Sequence, residues 1–367
     1  MALRTAVIGG GVVSRSHLSA LEENPLVDLV AICDIDTERA RQRAREYGIR
    51  AYFDAETMFE KASLDWVHVC TPVQTHRDLC LTAIEAGVPV LVEKPATVTV
   101  EEIDDIREAS DREGVRVSVV HNHLFGVAVR EARERIESGD LGDVRGLDVI
   151  VTGKTSPDEP NRGEWTFELP GGEFEEGIPH QIYVALALGG YPRDREAVQA
   201  TTSLYGEYDR PFSYDSLQLQ WPTEEEAICS VKLLSGGVPQ ELLLVHGEET
   251  SLAVDLLSQT TVELDRSYDA SPVARALSNV DHVLGRVEGT LSNAGAMAKR
   301  RLTDDPELER RWDSLAGQLN AEARALLADE PSPVPLEEAR WTVALMEAVR
   351  ESAGARPAPA PVADEVD

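Results

Sequence analysis

The sequence predicts an α/β protein with two domains, the first built on a parallel, doubly wound sheet and the second on a mixed or antiparallel sheet. The 367 residues are enough for two domains. Up to about residue 120, short apolar runs alternate with helix-like stretches, which is typical of a parallel sheet covered by helices. Beyond residue 121, strand-like runs follow at hairpin spacing and mostly lack helices between them. The predicted boundaries are 1–121, 122–352 and, for a disordered acidic tail rich in proline and alanine, 353–367.

The first domain is predicted to contain six strands, each a short and mostly apolar run. The run at 27–33 is nearly all apolar, so we expect its strand to be buried on both faces. Gly48, Gly87 and Gly114 each follow a helical stretch, and glycine readily adopts the left-handed conformation that ends a helix. The predicted strands lie at 5–8, 27–33, 51–53, 66–70, 88–92 and 115–120, and the predicted helices at 13–23, 37–47, 55–61, 75–86 and 101–113.

The second domain is predicted to begin with a helix at 127–138 and to end with one at 336–351. Residues 273–300 are also expected to be helical and are rich in small residues, but the sequence assigns them no chemical role. The predicted strands lie at 144–152, 198–205, 216–221, 227–234, 241–247, 251–255 and 260–265.

Charge and hydropathy exclude several classes of partner. The net charge of −31 argues against nucleic-acid binding, which needs a basic surface. Many acids and few lysines fit a surface that stays hydrated in high salt, so we expect a halophilic host, with an ordinary acidic protein as the alternative. No apolar run approaches the roughly 18 residues of a membrane helix, and the first residues lead into a strand without a signal-peptide pattern. We therefore predict a cytoplasmic protein with no membrane partner.

Cysteine spacing predicts no metal centre. The four cysteines form neither a C-x-x-C pair nor a zinc-binding spacing, and no other histidine, cysteine and aspartate cluster has metal-ligand spacing. We expect all four to be reduced, buried thiols.

A glycine loop lies between the first predicted strand and the first helix. Residues 9–14 read GGGVVS, which matches G-x-G-x-x-G with Ser14 in place of the third glycine. In this context Gly9 makes the tight turn and Gly11 lets the backbone approach a pyrophosphate at the helix N-terminus. We expect Gly9, Gly11, Val12 and Val13 to bind a dinucleotide, the alternative being a glycine turn without a nucleotide.

An aspartate at the end of the second strand indicates which dinucleotide is bound. Asp34 follows the glycine loop at the expected distance of some 20 residues, where a carboxylate accepts hydrogen bonds from the ribose hydroxyls. It would repel a 2′-phosphate, so NAD is favoured over NADP. Asp36 is the second choice for this role, and Arg39 is a weaker argument for NADP.

The charged tripeptide Glu93-Lys94-Pro95 closes the apolar run at 88–92. The C-terminal ends of parallel strands are where open α/β sheets bind ligands. Lys94 is one of only five lysines in a chain that otherwise uses arginine. Because a desolvated lysine can lose its proton and arginine cannot, we expect Lys94 to be needed as an amine.

Four segments share their patterns with a known family. Residues 9–17 hold the glycine loop and a histidine, and residues 70–78, 83–95 and 171–180 read CTPVQTHRD, AIEAGVPVLVEKP and GGEFEEGIPH. They resemble four segments of the glucose–fructose oxidoreductase and inositol dehydrogenase (Gfo/Idh/MocA) group of nicotinamide-dependent oxidoreductases. In the same order, these are the nucleotide loop, the T-P-x-x-x-H turn, the A-x-x-A-G-x-x-V-x-x-E-K-P signature and the G-G-x-x-x-[DE]-x-x-x-H segment. The resemblance is strong over residues 4–122 and patchy afterwards. It implies a Rossmann domain, then an α/β domain with a large, mostly antiparallel open sheet, and an active site between them.

The resemblance also implies roles for individual residues. Lys94 and His180 would be catalytic, with His180 as general acid/base, and Glu176 would replace the family's usual aspartate as the partner of His180 or of a substrate hydroxyl. On one helix the i, i+4 spacing would place Glu176 and His180 on the same face, whereas Pro179 in a helix's first turn would leave Glu176 before that helix. Glu173 and Glu175 lie near in sequence and stay open as alternatives. The family's arginine after the sixth strand is missing here. Further cofactor contacts are expected from Thr71, Pro72, His76, Glu93, Lys94 and Asn122.

The function predicted from these residues is hydride transfer between NAD and a sugar, sugar acid, polyol or related cyclic alcohol or ketone. Histidine suits the transfer of the hydroxyl proton near pH 7, and a lysine ammonium stabilises negative charge that develops on oxygen. Two alternatives stay open: an enzyme that uses NAD transiently for elimination or epimerisation, and a non-catalytic regulator that senses NAD. The resemblance implies a homodimer or homotetramer.

Overall fold

The computed structural model describes residues 2–153, 155–264 and 313–354, together with single positions between 271 and 295. The predicted tail at 353–367 lies almost wholly outside these residues, and the predicted helix at 273–300 is described only at some positions.

The first sheet is six-stranded and parallel, with the order β3-β2-β1-β4-β5-β6. Asp36 caps the second helix by accepting from the amides of Glu38 and Arg39, while Gly48 and Gly114 end two helices in the left-handed conformation. The strands are β1 Leu3–Ile8, β2 Val27–Cys33, β3 Arg50–Tyr52, β4 Trp66–Val69, β5 Val90–Val92 and β6 Val117–Val119. The helices are α1 Val12–Glu22, α2 Thr37–Tyr47, α3 Ala55–Ala62, α4 His76–Glu85 and α5 Val100–Glu113.

The second sheet is seven-stranded, with the order β13-β12-β11-β7-β10-β9-β8. The pair β7–β10 is parallel and all other neighbours are antiparallel. Two helices, α6 Val127–Glu137 and α7 Gly172–Gly189, accompany it. The strands are β7 Val144–Gly153, β8 Gln199–Ser203, β9 Ser216–Pro222, β10 Ile228–Ser235, β11 Gln240–Gly247, β12 Ser251–Asp255 and β13 Thr260–Leu264. The predicted fold class, a parallel-sheet domain followed by a mostly antiparallel one, is confirmed.

The C-terminal helices return to the first sheet. Helix α8 (Ser314–Ala328) contributes Leu319 and Ala323 to a core shared with β1, β2 and α1. Helix α9 (Leu336–Ser352) contributes Leu336 and Val343 to the core on the other side of that sheet. Residues from the end of the chain therefore complete both apolar cores of the first domain.

Helix α7 is the main element that the sequence analysis missed. Of the two alternatives left open for Pro179, a position in a helix's first turn is wrong, because Pro179 lies inside α7, whose first residue is Gly172. Proline and glycine both have low helix propensity, which hides the helix in the sequence. Burial overrides propensity here, since Ile178 and Ile182 are fully buried in the core beneath the second sheet. Helix α8 was also not predicted.

No helix among the described residues is long and apolar enough to cross a bilayer.

Candidate active site

The glycine loop leaves the N-terminus of α1 open. Gly9 has a φ of +97°, and a Cβ there would lie 2.5 Å from the carbonyl oxygen of Cys70, so only glycine fits. Gly11 is the N-cap of α1 without a capping side chain, and a Cβ at this position would meet nothing within 4 Å. Val12 is 58% exposed at the start of the helix. Free amides facing open space at a helix N-terminus fit the pyrophosphate of a dinucleotide.

The carboxylate of Asp34 lies against this loop. Its Oδ2 accepts the amide of Gly10 at 2.6 Å and its Oδ1 accepts the amide of Asp36 at 2.8 Å. A third donor, Nη1 of Arg39, reaches Oδ2, and since a carboxylate has about four acceptor positions, about one remains for a ribose hydroxyl. Nη1 of Arg39 is 3.4 Å from Oδ2 of Asp34, on a side chain that is 47% exposed. The Arg39 guanidinium therefore lies at the exposed edge of this site, and the Asp34 carboxylate faces the glycine loop.

His76 ties together the loops that follow β4 and β5. Its Nδ1 is 3.0 Å from the carbonyl oxygen of Pro95, and its Nε2 is 2.9 Å from that of Thr71. Burial lowers the pKa of His76, although the hydrogen bonds to both carbonyl oxygens tend to raise it. Thr71 also accepts a hydrogen bond from the hydroxyl of Thr75 at 2.8 Å. The predicted cofactor residues Thr71 and Pro72 therefore lie on a loop braced against the Lys94 turn.

Glu93 points into the interior of the first domain. Its Oε1 is 2.8 Å from Nε2 of His17, and its Oε2 accepts the amide of Lys94 at 3.1 Å. Burial tends to raise the pKa of Glu93, but the hydrogen bond and charge of His17 outweigh burial and lower it. Nδ1 of His17 continues the chain to Nδ1 of His68 at 2.9 Å. The structure therefore places Glu93 beneath the cis Lys94–Pro95 bond, as a support for the turn.

Lys94 meets Glu176 across the two domains. Its Nζ donates to the carbonyl oxygen of Glu176 at 3.0 Å and forms an ion pair with Oε1 of the same residue. Both residues are buried, at 7% and 8% exposure. Nε of Arg162 lies 3.7 Å from Oε2 of Glu176. The sequence analysis did not single out Arg162, because the loop before α7 carries no motif.

The neighbouring glutamates have other partners. Oε1 of Glu175 pairs with the buried guanidinium of Arg350 at 2.6 Å, and its Oε2 accepts the hydroxyl of Tyr214 at 2.6 Å. Glu173 accepts the amide of Arg162 at 3.2 Å. Among the three glutamates, it is Glu176 that the structure pairs with Lys94.

His180 lies one helical turn after Glu176 on α7. Its ring stacks on that of His123, with the centroids 4.2 Å apart and the planes 12° from parallel. Burial lowers the pKa of His180 well below its usual value, and the positive charge of Lys94 lowers it further. The imidazole is therefore neutral near pH 7, which is the form that accepts a proton.

Tyr183 contacts the Nδ1 side of the His180 ring, and the sequence analysis did not identify this residue. Its hydroxyl oxygen is 2.8 Å from Nδ1 of His180, accepts the amide of His123 at 3.1 Å and is 3.4 Å from Oδ1 of Asn122. Its ring stacks on His121 at 4.1 Å. Burial raises the pKa of Tyr183 well above 10, so the phenol keeps its proton. The signal in the sequence is the i, i+3 spacing of the two residues, which places them side by side on a helix.

Asn122 contacts the second domain and the returning helix. Its Nδ2 donates to the hydroxyl of Ser314 at the start of α8, at 3.0 Å.

The four cysteines are free and buried, and burial raises the pKa of Cys33 to about 12. No group of three or more histidine, cysteine or acidic side chains in the described part of the chain is arranged to hold a metal ion.

Comparison with known proteins relates the first domain of this chain to a family of oxidoreductases. A family model described as an oxidoreductase family with an NAD-binding Rossmann fold matches residues 3–121. D-apiose dehydrogenase of Paraburkholderia graminis is 34% identical over 138 residues, which are 37% of this chain and 37% of that protein. D-glucoside 3-dehydrogenase of Escherichia coli is 27% identical over 278 residues, 71% of this chain and 74% of that protein. The alignment with the first relative thus spans little more than a third of its length.

Solved structures share the fold of the whole chain. An oxidoreductase from Agrobacterium radiobacter, in complex with NAD+, L-tartaric acid and magnesium, superposes with a TM-score of 0.76 at 17% identity and covers 96% of this chain and 97% of that one. The WlbA dehydrogenase of Bordetella pertussis, in complex with NADH and UDP-GlcNAcA, gives 0.75 at 20% identity, with 96% and 97% coverage. Together with the glycine loop and the E-K-P turn, the matches confirm an NAD-binding Rossmann domain. The first domain, residues 3–121, thus matches the model of an oxidoreductase family with an NAD-binding Rossmann fold, and the whole chain shares its fold with the solved dehydrogenases.

Proposed function

We propose that this protein is an NAD-dependent oxidoreductase that transfers a hydride between nicotinamide and a CH–OH group of a sugar, polyol or related cyclic alcohol. The observation that carries the proposal is the convergence of Lys94 from the first domain with Glu176 and His180 from the second. Lys94 follows β5, at the same end of the parallel sheet as the glycine loop and Asp34. A dinucleotide bound along that edge would bring its nicotinamide toward the lysine.

The two catalytic groups have complementary tasks in this proposal. NAD supplies the hydride acceptor. Nε2 of neutral His180 takes the hydroxyl proton of the substrate, while the Lys94 ammonium donates a hydrogen bond to the same oxygen as negative charge develops there. In the reductive direction Lys94 polarises the carbonyl oxygen, and Nε2 of His180 returns the proton. Glu176 holds the Lys94 amine in place, because both its carboxylate and its carbonyl oxygen accept from Nζ.

Tyr183 allows His180 to work in both directions. When Nδ1 of His180 carries its proton, it donates to the hydroxyl oxygen of Tyr183, and the phenol donates onward to Asn122, 3.4 Å away. Nε2 is then free to accept a proton. Once Nε2 has taken the substrate proton, both ring nitrogens carry hydrogen, and this imidazolium is the acid that returns the proton from Nε2 in the reductive direction.

Several features support a polyhydroxylated substrate. The relatives compared above are named for D-apiose and a D-glucoside. Within the proposed pocket, the guanidinium of Arg162 is part-exposed and stands 3.7 Å from the Glu176 carboxylate, so it offers donors to substrate oxygens. We also propose that the enzyme works in a salt-rich cytoplasm, on the basis of its net charge of −31.

The direct test is a panel of aldoses, uronic acids, inositols and other polyols, offered with NAD+ and with NADP+ at low salt and at about 2 M KCl. The appearance of NADH with at least one compound, faster than NADPH with the same compound, is expected. Product formed without net NADH would favour transient use of NAD. Binding of NAD+ without turnover of any compound would contradict the proposal and favour a sensor.

A further inference from the structure

Arg162 brings a second positive charge to the place where Lys94 meets the second domain. Its Nε is 3.7 Å from Oε2 of Glu176, which is beyond hydrogen-bond distance. In the part of the chain that the structure describes, no acceptor lies within hydrogen-bond distance of this guanidinium. The side chain is 35% exposed, so its N–H donors are reachable but only partly hydrated.

The carboxylate of Glu176 lies between two positive side chains. Its Oε1 forms an ion pair with Nζ of Lys94, and its carbonyl oxygen accepts from the same amine. The other carboxylate oxygen is the one that faces Arg162. A single carboxylate cannot neutralise both the ammonium and the guanidinium, so the charge of Arg162 is left without a full counter-charge.

The other acids near Arg162 are engaged elsewhere. Glu164 pairs with Arg210 at 2.9 Å. Glu173 accepts the backbone amide of Arg162 at 3.2 Å, not its guanidinium. Burial raises the pKa of Glu173 and the charge of Glu176 raises it further, so this carboxyl group is less fully ionised than an exposed glutamate at the same pH.

The charges that act on His180 are positive as well. After burial, which is the largest cause, the charges of Lys94 and Arg162 both lower the pKa of His180. Both cations therefore create a positive potential at the imidazole, and a positive potential in a partly buried place favours an anion beside it.

We propose that the substrate is a polyhydroxy acid and that Arg162 binds its carboxylate. This inference rests on the proposed function, because it takes the CH–OH group between Lys94 and His180 as the reacting one. The planar guanidinium offers two parallel N–H donors, which match the two oxygens of a carboxylate. Since Arg162 and Lys94 lie on either side of one carboxylate, the acid group of the substrate lies within a few carbon atoms of the reacting carbon, as in aldonates and uronates.

Neutral sugars and sugar phosphates fit these contacts less well. A hydroxyl group accepts from a guanidinium but leaves its positive charge uncompensated in a partly buried place. A phosphate group carries nearly two negative charges and three strong acceptors, whereas Arg162 supplies one guanidinium. The carboxyl groups of Glu173 and Glu176 lie close by and would repel the second charge.

The test uses pairs of compounds that differ in one carboxylate: D-glucose and D-glucuronate, D-galactose and D-galacturonate, and sorbitol and D-gluconate. D-glucose 6-phosphate is included as the phosphate analogue. Full-length wild type is compared with Arg162→Gln, which removes the charge, and with Arg162→Lys, which keeps the charge without the planar fork. Arg210→Gln is the control, since Arg210 is 52% exposed and pairs with Glu164. Assays follow NADH at about 2 M KCl, where repulsion between the acids and the acidic chain is screened.

We expect the wild type to use at least one acid with a kcat/KM on the order of tenfold above that of its neutral counterpart. Arg162→Gln should lower kcat/KM for the acid by roughly 10- to 100-fold, chiefly through KM, because it removes charge-assisted hydrogen bonds. Binding of NAD+ and turnover of the neutral compound should change by less than about threefold. Arg162→Lys should recover part of the loss, and Arg210→Gln should resemble the wild type.

Two results would overturn this inference while the proposed function stands. One is a wild type that uses the neutral compounds as well as the acids. The other is an Arg162→Gln enzyme that loses kcat/KM equally for both members of a pair, which would give Arg162 a structural role only. A preference for D-glucose 6-phosphate over D-glucuronate would instead assign the guanidinium to a phosphate. Formation of NADH with none of the compounds would overturn the inference together with the proposed function.

Discussion

The hydroxyl oxygen of Tyr183 lies 2.8 Å from Nδ1 of His180, one turn earlier on the same helix. Because that oxygen also accepts the amide of His123, the orientation of the imidazole is set by two segments of the second domain. A positioned base reacts faster than a mobile one, even when substrate binding is unchanged.

Replacing Tyr183 with phenylalanine should lower kcat about tenfold and leave KM within about twofold, because one hydrogen bond that orients the base is worth on the order of 1 kcal/mol. Steady-state kinetics on the best substrate of the panel measures both constants. Tyr205→Phe is the control, since Tyr205 is 88% exposed. A Tyr183→Phe enzyme with wild-type kcat would show that His180 needs no positioning by this residue.

Replacing Lys94 with methionine should lower kcat/KM by at least 100-fold, as expected when one donor to a developing oxyanion is removed. Binding of NAD+, followed by fluorescence, should stay within a few-fold of wild type because the glycine loop is untouched. Lys94→Arg should also fail, since the guanidinium is larger and does not fit the buried pairing with Glu176. Lys232→Met, on β10 of the second sheet, is the matched control. Unchanged turnover in Lys94→Met would remove the lysine from the mechanism.

Replacing Asp34 with asparagine should shift the cofactor preference toward NADP by at least tenfold. The amide keeps an oxygen that accepts the Gly10 amide, but it no longer repels a 2′-phosphate, and Arg39 at 3.4 Å becomes available to that phosphate. The ratio of kcat/KM for NAD+ and NADP+ is the readout. Asp36→Asn serves as the comparison, and a larger shift there would transfer the role to Asp36.

Acid should destabilise the fold from about pH 6.5 downward. Burial lowers the pKa of His121 to about 3, whereas in the unfolded chain it is about 6.5. Below pH 6.5, His121 binds a proton in the unfolded chain but not in the folded one. The free energy of unfolding that this histidine contributes at neutral pH is therefore lost as the pH falls toward 3. At pH 5 this group alone contributes a loss of about 2 kcal/mol.

Urea unfolding at pH 7 and pH 5 measures that loss. His121→Phe keeps a ring to stack on Tyr183 and should reduce the difference between the two pH values. His246→Phe is the control, because the imidazole of His246 is about 45% exposed on the second sheet. If both variants show the wild-type pH dependence, the acid sensitivity comes from other groups.

Replacing Arg350 with methionine should cost about 3–5 kcal/mol of unfolding free energy, because it leaves the buried carboxylate of Glu175 without its counter-charge. Arg350 also donates to the carbonyl oxygen of Val98, in the loop after the Lys94 turn. The double variant Arg350→Met/Glu175→Gln should recover part of the loss, since the uncompensated charge is gone. Denaturant unfolding of these three proteins and of the single variant Glu175→Gln completes the cycle. Equal stabilities for Arg350→Met and wild type would contradict the assignment.

Local features of the first domain were predictable from sequence. Gly48 and Gly114 end helices as their residue type suggests, and the glycine loop lies between strand and helix as its motif requires. These are short-range effects, in which a few neighbouring residues determine backbone conformation. The position of Lys94 at the end of β5 follows from the same reasoning.

The contacts that complete the site were not predictable in the same way. Lys94 and Glu176 are 82 residues apart, and their pairing depends on how the two domains pack. The presence of Pro179 inside α7 runs against its propensity, so the sequence left open whether Glu176 and His180 lie on one helix. Arg162 carries no motif, and only the folded chain shows that it lies beside Glu176. Tyr183 has the i, i+3 spacing to His180, but that spacing becomes informative only once the helix through Pro179 is known.

The packing of α8 against the first sheet has a consequence for folding during synthesis of the protein. A ribosome releases the nucleotide-binding domain first, and Leu319 and Ala323, which cover Leu18 and Leu21 of α1, emerge only after the whole second sheet. The helix whose N-terminus faces the glycine loop therefore lacks part of its own core until α8 has been made. Tight binding of the dinucleotide should then require a chain that includes α8, and a polypeptide stalled before residue 314 should bind it poorly.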